Sequence, residues 1–198
     1  MASNLGEWTV NVSVGSMPQK IASAFGNLNL MGAEYTPIAY LGSQLVNGTN
    51  HAVLAEQLLI TGRDQKNIVL MIFNEKGEDV TLVNIERVLE GGAPMGGIKI
   101  DVQTEIPEDI KAAFHKRFEG YVGAHLEPVV YLGSQVTKGI NYILLTVISG
   151  IRPCEDTTVA LTIINPLTNE RAFVDILTGA SNIASLGYAF TWLKGNDK

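Results

Sequence analysis

The sequence is short of the features that mark secreted, disulfide-bonded or membrane-embedded proteins. Its 198 residues include a single cysteine, Cys154, so no intramolecular disulfide can form. Folding must depend on packing alone, which is typical of a reducing compartment. Apolar runs are all shorter than the roughly 18 residues that a membrane-spanning helix needs, and the first residues lack the basic and apolar regions of a signal peptide. A cytoplasmic protein that does not bind membranes is expected, although a secreted protein whose signal peptide had been removed would look the same.

Positive charge and catalytic motifs are also scarce. Lysine and arginine number 14 against 20 acidic residues, a net charge of −6, and no basic patch suggests nucleic-acid binding. His51, His115 and His125 fall in different segments without metal-ligand spacing, and no phosphate-binding loop or Ser-His-Asp order stands out. Cys154 precedes Glu155 and Asp156, whose charges disfavour a reactive thiolate. The sequence therefore predicts a protein that is not an enzyme and needs neither cofactor nor metal.

What the sequence does contain is an internal repeat. Tyr40–Asn50 and Tyr131–Asn141 are identical at seven of eleven positions, at a spacing of 91 residues. The same spacing relates Pro37 to Pro128 and Asn74 to Asn165. A repeat identifies the unit of folding, and about ninety residues is an ordinary domain size. We therefore divide the chain into unit 1 (1–90), a glycine-rich linker (91–97), unit 2 (98–180) and a C-terminal tail (181–198).

Periodicity predicts an α+β fold in which each unit packs one helix on a four- to five-stranded antiparallel sheet. Alternating β-branched residues indicate strands, and apolar residues spaced three and four apart indicate helices. Short turns between strands require antiparallel pairing. In unit 1 the predicted strands cover 8–14, 35–45, 50–60, 67–74 and 79–89, and the helix begins at Pro18 and ends at Gly32. In unit 2 they cover 98–104, 126–136, 141–149, 157–165 and 170–178, with a helix over 107–121. Leu186–Leu193 is predicted to be one extra strand.

Several predicted strands are apolar on both faces, among them Ile68–Phe73 and Tyr142–Ile148. A sheet with one wet face should alternate instead. We therefore expect the second face to be covered by the other unit or by another chain, as in a homo-oligomer. Exchange of strands through the Leu45–Gly48 turn, giving a domain-swapped dimer, is a further hypothesis.

The order strand–helix–four strands, with the hairpin Gln44-Leu45-Val46-Asn47-Gly48, resembles the cystatin family. Gln135-Val136-Thr137-Lys138-Gly139 fits the same hairpin except that Thr137 replaces a valine. A glycine ahead of the first strand is a second family feature, matched by Gly6 and Gly96. Lacking disulfides, the chain is similar to stefins. The resemblance covers about 5–89 and 95–178.

The resemblance implies a reversible, non-covalent inhibitor of papain-like cysteine proteases that plugs the active-site cleft. In cystatins the plug consists of the N-terminal segment and two hairpin loops. The implied contacts in unit 1 are Leu5, Gly6, Gln44, Leu45, Val46, Asn47 and Gly48. The weaker set in unit 2 is Met95, Gly96, Gln135, Val136, Thr137, Lys138, Gly139, Pro166 and Leu167.

Two departures from the family keep an alternative open. The Pro-Trp of its second loop is replaced by Asn74–Glu78 in unit 1 and by Asn165–Thr168 in unit 2. Aromatic anchors dominate interface energies, so their loss favours a non-inhibitory cystatin-like module for protein binding or assembly. Lys138 also places a hydrated charge in the second hairpin. If either unit inhibits a protease, we therefore expect unit 1 to do so.

Overall fold

A computed structural model describes residues 6–28, 30–60, 65–92, 96–150 and 157–177. The chain divides into two compact units, Met1–Glu90 and Gly91–Lys198. The architecture is α+β: the described residues form two helices and two five-stranded antiparallel sheets. The predicted extra strand at Leu186–Leu193 lies outside the described residues. Among the described residues, no helix has the length and apolar character needed to cross a membrane.

Unit 1 is a meander of five strands interrupted once by a helix. Its elements are β1 (Trp8–Val14), α1 (Gln19–Gly26), β2 (Ala33–Val46), β3 (Gly48–Leu59), β4 (Gln65–Lys76) and β5 (Asp79–Glu90). The spatial order equals the sequence order, β1-β2-β3-β4-β5. Each strand after α1 therefore pairs with its sequence neighbour, as short turns demand.

Unit 2 repeats this plan at the predicted spacing. Its elements are β6 (Ile98–Gln103), α2 (Glu108–Phe118), β7 (Ala124–Thr137), β8 (Gly139–Gly150), β9 (Thr158–Ile164) and β10 (Arg171–Asp175), in the order β6-β7-β8-β9-β10. β7 and β8 begin and end 91 residues after β2 and β3. The β2–β3 and β7–β8 hairpins therefore begin and end at equivalent residues of the repeat.

The first helix is shorter than the sequence predicted. The expectation that it continues to Gly32 is wrong, because α1 ends at Gly26 and Asn27 forms its C-terminal cap. Glycine and asparagine are both poor helix formers, and the N–H of Leu28 bonds back to the Phe25 carbonyl at 3.1 Å in a tighter turn. Leu28 nevertheless packs against the core, which explains why its spacing looked helical.

Each helix buries one stripe against its own sheet. In unit 1, Ile21 and Ala24 pack with Tyr40, Val53 and Phe73. The β3 residues on either side of Val53, Ala52 and Leu54, are also fully buried. Because successive side chains in a strand point to opposite faces, both faces of β3 are buried at this point.

The equivalent stripe in unit 2 comes from aromatic residues on α2. Phe114 and Phe118 pack with Tyr131, Leu144 and Ile164. Acidic residues stand in the first turn of α2 and basic residues in the last, which complements the helix dipole. Each helix thus covers one face of its own sheet.

A glycine brings the first strand of each unit close to the second. Gly42 lies where a Cβ would overlap the Thr9 carbonyl oxygen, and Gly133 repeats this against Lys99. Both lie at register shifts where one strand gains a residue over its partner. Such β-bulges change the direction of the strand beyond them. They therefore determine which residues of β1 and β6 lie beside the hairpin ends.

Candidate functional site: a loop edge in each unit

Three segments of unit 1 meet at one end of its sheet, which we call the loop edge of unit 1. They are the segment at Gly6, the β2–β3 hairpin with its tip at Asn47, and the end of β4 that leads into the β4–β5 turn. The N–H of Gly6 donates to the Leu45 carbonyl at 3.0 Å. A Cβ at Gly48 would lie 2.7 Å from both Asn74 Oδ1 and the Glu75 carbonyl oxygen. The hairpin therefore sits directly against its neighbours on both sides.

A chain of three side-chain amides crosses this edge. Gln44 Nε2 donates to the Gly6 carbonyl at 2.8 Å. Asn50 Nδ2 donates to Gln44 Oε1 at 2.9 Å, and Asn74 Nδ2 donates to Asn50 Oδ1 at 2.8 Å. Gln44 and Asn50 each donate one of these bonds and accept another, as the paired donor and acceptor of an amide permit, and Asn74 begins the chain as a donor. The amide chain of unit 1 thus links β4, β3, β2 and the Gly6 segment.

Unit 2 contains the same chain. Gln135 Nε2 donates to the Gly96 carbonyl at 2.8 Å, Asn141 Nδ2 to Gln135 Oε1 at 3.2 Å, and Asn165 Nδ2 to Asn141 Oδ1 at 2.9 Å. These three side chains are buried, with exposures of 7%, 3% and 1%. A buried polar side chain is costly unless its hydrogen bonds are made. The amide chain of unit 2 is therefore a specific feature of the fold.

Asn165 also organises the turn that follows β9. Its Oδ1 accepts from the backbone N–H groups of Leu167 and Thr168 at 3.0 and 3.1 Å. Its Nδ2 lies 3.2 Å from the Lys138 carbonyl oxygen at the hairpin tip. One buried side chain thus fixes both loops of the unit 2 edge.

The hairpin glycines Gly48 and Gly139 both take a positive φ. Gly48 has φ of +102° and Gly139 has φ of +97°, a region that residues with a side chain rarely occupy. Both also leave no room for a Cβ, which at Gly139 would lie 2.9 Å from Leu167 Cβ. Glycine is therefore required at both positions for conformation and for space.

Of the unit 1 residues that the cystatin resemblance implies, some are exposed and others are partly buried or hydrogen-bonded within the edge. Leu45 is 42% exposed and Asn47 at the tip is exposed. Val46 and Gly48 are half-buried, and the amide of Gln44 is occupied within the amide chain. Leu5 lies outside the described residues. Leu45 and Asn47 are thus the side chains best placed to contact a partner, and Gln44 positions them.

The loop edge of unit 2 is richer in exposed apolar side chains. Val136 and Leu167 are each 68% exposed, and Ile140, which the resemblance did not single out, is 42% exposed. Lys138 at the tip and Pro166 are exposed, Thr137 is half-buried and Gln135 is buried. Gly96 has φ of +92°, and Met95 lies outside the described residues.

Unit 1 carries a network of four side chains beneath its loop edge, Tyr40, His51, Glu75 and Lys20, which we call the relay. The ring of His51, 5% exposed, lies between Tyr40 and Glu75. Its Nδ1 is 3.2 Å from Tyr40 Oη, its Nε2 is 3.3 Å from Glu75 Oε2, and Lys20 Nζ is 2.6 Å from Glu75 Oε1. Burial lowers the pKa of His51 from 6.5, and the Lys20 ammonium lowers the pKa of Glu75 from 4.5. Neutral His51 with its proton on Nε2 satisfies both neighbours.

Unit 2 replaces each member of this relay except the tyrosine. Tyr142 and Pro166 stand 91 residues after His51 and Glu75. The two helices begin 89 residues apart, after Pro18 and Pro107, so that Lys20 and Asp109 are the second residues of α1 and α2. The two loop edges therefore share their amide chains and differ in charge.

Elsewhere in unit 2 a groove of about 210 Å³ lies at the end of α2, where it is lined by His115, His125 and aromatic rings. The Arg171 guanidinium covers the ring of Phe118 at 4.9 Å and that of Tyr121 at 5.2 Å, so a cation already occupies the aromatic faces there. Within the described ranges, no three His, Cys, Asp or Glu residues are grouped to hold a metal ion.

Sequence reasoning missed the asparagines at the ends of the amide chains, Asn74 and Asn165, as members of the loop edges. The repeat at Asn74 and Asn165 was the available signal, but a repeated residue does not reveal its partner. The same holds for Asn50 and Asn141, which close the repeated hairpin motif. His51 carried no signal, because its relay does not recur in unit 2.

No protein-family model, curated protein or solved structure matches the chain. Function must therefore be inferred from the geometry of the two loop edges.

Proposed function

We propose that this protein is a tandem, non-enzymatic inhibitor of papain-like cysteine proteases built from two cystatin-like units. In this proposal the loop edge of unit 1 enters the active-site cleft and blocks it reversibly. One observation carries the proposal. The Gly6 segment, the β2–β3 hairpin and the end of β4 meet at one edge and are joined by the amide chain of unit 1. These are the segments that the cystatin resemblance requires to act together.

Rigidity of the loop edge supports this mechanism. A loop that is already ordered loses little conformational entropy when it binds, so more of its contact energy remains as affinity. Gln44 links the Gly6 segment to Asn50, and Gly48 packs against Asn74. The protease would therefore meet a preformed wedge, and no covalent bond is needed for inhibition.

Each exposed residue of the wedge has a distinct proposed role. Leu45, 42% exposed, supplies apolar contact to a cleft wall. Asn47 stands at the tip and approaches the catalytic centre most closely. Gly6, with φ of +89°, lets the preceding segment turn along the cleft, where Leu5 would fill an apolar subsite. Gln44 serves as a positioning residue, because its amide is engaged within the edge.

Inhibition of papain by the intact protein is the direct test. Leu45→Glu should weaken inhibition by about tenfold or more, because it places a charge in an apolar contact. Val83→Glu is the matched control, since Val83 is similarly exposed at 54% in the middle of β5. The control should inhibit like the unaltered protein. Absence of inhibition by the unaltered protein at micromolar concentration would contradict the proposal.

A non-inhibitory binding or assembly module is the second candidate, and one observation favours it. The β4–β5 turn of unit 1 presents the exposed charges of Lys76, Glu78 and Asp79 in place of an apolar anchor. Such a turn suits a partner with a polar surface. Sedimentation analysis addresses the homo-oligomer or domain-swapped dimer that this candidate includes. A stable oligomer that does not bind papain would favour the assembly module over the protease inhibitor.

A further inference from the structure

The relay of unit 1 and the amide chain of unit 1 occupy neighbouring residues on the same two strands. His51 follows Asn50 on β3, and Glu75 follows Asn74 on β4. Because successive side chains in a strand point to opposite faces, the relay and the amide chain hold β3 and β4 together from opposite faces of the sheet. A movement of His51 or Glu75 therefore also displaces a member of the amide chain.

The ring of His51 is enclosed by groups from three other elements. Tyr40 of β2 lies 3.2 Å from its Nδ1, and Glu75 of β4 lies 3.3 Å from its Nε2. Lys20 of α1 reaches it through Glu75, with Nζ 2.6 Å from Oε1. The Phe73 ring lies against it with centroids 5.4 Å apart. The side chain is 5% exposed, so few water molecules can solvate a charge there.

A second proton on His51 conflicts with this arrangement. Neutral imidazole accepts from the Tyr40 hydroxyl at Nδ1 and donates to Glu75 from Nε2. Once Nδ1 carries a proton, it faces the hydroxyl hydrogen, and the hydroxyl has to turn round. The carboxylate that would balance the new charge already binds the Lys20 ammonium. Burial, and to a smaller extent Lys20, lower the pKa of His51 by more than Glu75 raises it.

The hairpin end of β3 is where His51 can reach water at the lowest cost. β3 begins at Gly48, three residues before His51, and opening a strand end costs less than unfolding the unit. Such an opening carries Asn50 with it and breaks its bond to Gln44. It also lifts Gly48 away from Glu75, whose carbonyl oxygen it closely approaches.

Unit 2 lacks this arrangement at its own loop edge. Tyr142 and Pro166 take the places of the histidine and the glutamate. Histidine is the side chain whose charge ordinarily changes between pH 5 and 8. The other two histidines of the chain, His115 and His125, line the groove at the end of α2. The amide chain of unit 2 is therefore an internal reference for any effect of pH on that of unit 1.

We propose that the relay is a pH switch, which opens the loop edge of unit 1 in mildly acidic solution and leaves the loop edge of unit 2 in place. An imidazole in water has a pKa of about 6.5. Lowering the pH from 7.5 to 5.5 therefore increases the open population by up to about tenfold. The consequence for binding rests on the proposed function: unit 1 loses affinity for its protease in acid. The opening itself does not depend on any partner.

Hydrogen–deuterium exchange of the full chain at pH 7.5 and 5.5 tests the opening, once the rates are corrected for the intrinsic effect of pH. Protection of the amides of 44–50 should fall by up to about tenfold in acid. The amides of 135–141, which are equivalent in the repeat, should keep their protection. Those of β5, 79–90, should also keep theirs, because the opening is confined to the loop edge.

Two variants of the relay and one control assign the effect. His51→Gln should abolish the pH dependence of exchange at 44–50. Lys20→Met should reduce it, because the Glu75 carboxylate is then free to balance the imidazolium; Lys20 is exposed, so this variant also remains informative where His51→Gln does not fold. His125→Gln, at an exposed site in unit 2, should respond like the unaltered chain.

Three exchange results would overturn the switch: unchanged protection at 44–50, an equal loss throughout unit 1, or a response that survives His51→Gln. Papain affinity at the two pH values tests the consequence for binding. The unaltered chain should lose up to about tenfold more affinity in acid than His51→Gln, a comparison in which the pH dependence of papain cancels. Papain binding without the exchange response overturns the switch and leaves the proposed function standing. The exchange response without papain binding at either pH supports the switch and overturns the proposed function.

Discussion

Asn165 Nδ2 donates to Asn141 Oδ1 at 2.9 Å, and Asn74 makes the same bond to Asn50 at 2.8 Å in the other unit. In both places this bond connects the third and fourth sheet strands of the unit at the end where the loops gather. The two bonds differ in their surroundings. Asn165 also donates to the Lys138 carbonyl at the hairpin tip and accepts from two N–H groups of its own turn, so the loss of Asn165 should cost more stability than the loss of Asn74.

Asn165→Ala should lower the free energy of unfolding by about 1–3 kcal/mol, because it leaves buried donors and acceptors without partners. Asn74→Ala should cost less, since Asn74 is the less buried of the two and the structure gives its side chain one bond. Urea unfolding at neutral pH measures both. Asn47→Ala, at the exposed tip, is the control and should change stability little. Equal losses for Asn74→Ala and Asn165→Ala would contradict this ranking.

Gly48→Ala should destabilise unit 1 more than Gly77→Ala does. Both glycines have positive φ, which costs an alanine about 1–2 kcal/mol. At Gly48 the added Cβ would also lie 2.7 Å from Asn74 Oδ1 and from the Glu75 carbonyl, whereas at Gly77 it meets nothing within 4 Å. Thermal unfolding of the two variants measures the combined cost of the crowding at Gly48 and of its φ of +102°, which lies outside the left-handed region that Gly77 occupies at +66°. Identical unfolding temperatures would show that the hairpin moves freely away from β4.

Stability should fall as pH drops through about 6.5, because burial holds the pKa of His51 below that value in the folded protein. The unfolded chain then binds a proton that the folded chain resists, and acid favours unfolding. The lowered pKa of Glu75 acts in a lower window, where stability is lost as pH falls below 4.5. Urea midpoints at pH 7.5 and 5.5 therefore report mainly on histidine. His51→Gln should flatten the difference, and His115→Gln, at an exposed site, should not.

Glu86→Gln should raise stability at pH 7. Burial raises the pKa of the Glu86 carboxyl above its usual 4.5, and its Oε2 is buried without a hydrogen-bond partner. The folded state therefore disfavours the charge that neutral pH imposes, and the amide removes that charge at nearly the same size. The gain should disappear once the pH falls low enough to protonate the native carboxyl. A loss of stability at pH 7 would mean that the carboxylate is needed where it lies.

The sequence was informative wherever local chemistry and the repeat agreed. The repeated motif places a glycine in each hairpin, Gly48 and Gly139, and both take positive φ. The strands were placed correctly because β-branched runs and turn residues act over a few neighbours. The predicted end of α1 was wrong because Leu28 continues the apolar spacing although the helix ends at Gly26.

The candidate site was less accessible to sequence reasoning because its bonds join distant strands. Gln44 reaches the carbonyl of Gly6, 38 residues away, only through the register that the bulge at Gly42 imposes. Asn74 was visible as a repeated residue, but its partner depends on β3–β4 pairing. A repeat indicates which residues matter, whereas strand register decides what each one touches.

Each amide chain terminates on a main-chain oxygen, that of Gly6 or Gly96. A peptide carbonyl is offered by every amino acid, so this anchorage makes no demand on the identity of the side chains upstream of it. The bond from Gln44 to Gly6 consequently does not depend on which side chains precede Gly6. A designer could vary those side chains and keep this anchor of the hairpin.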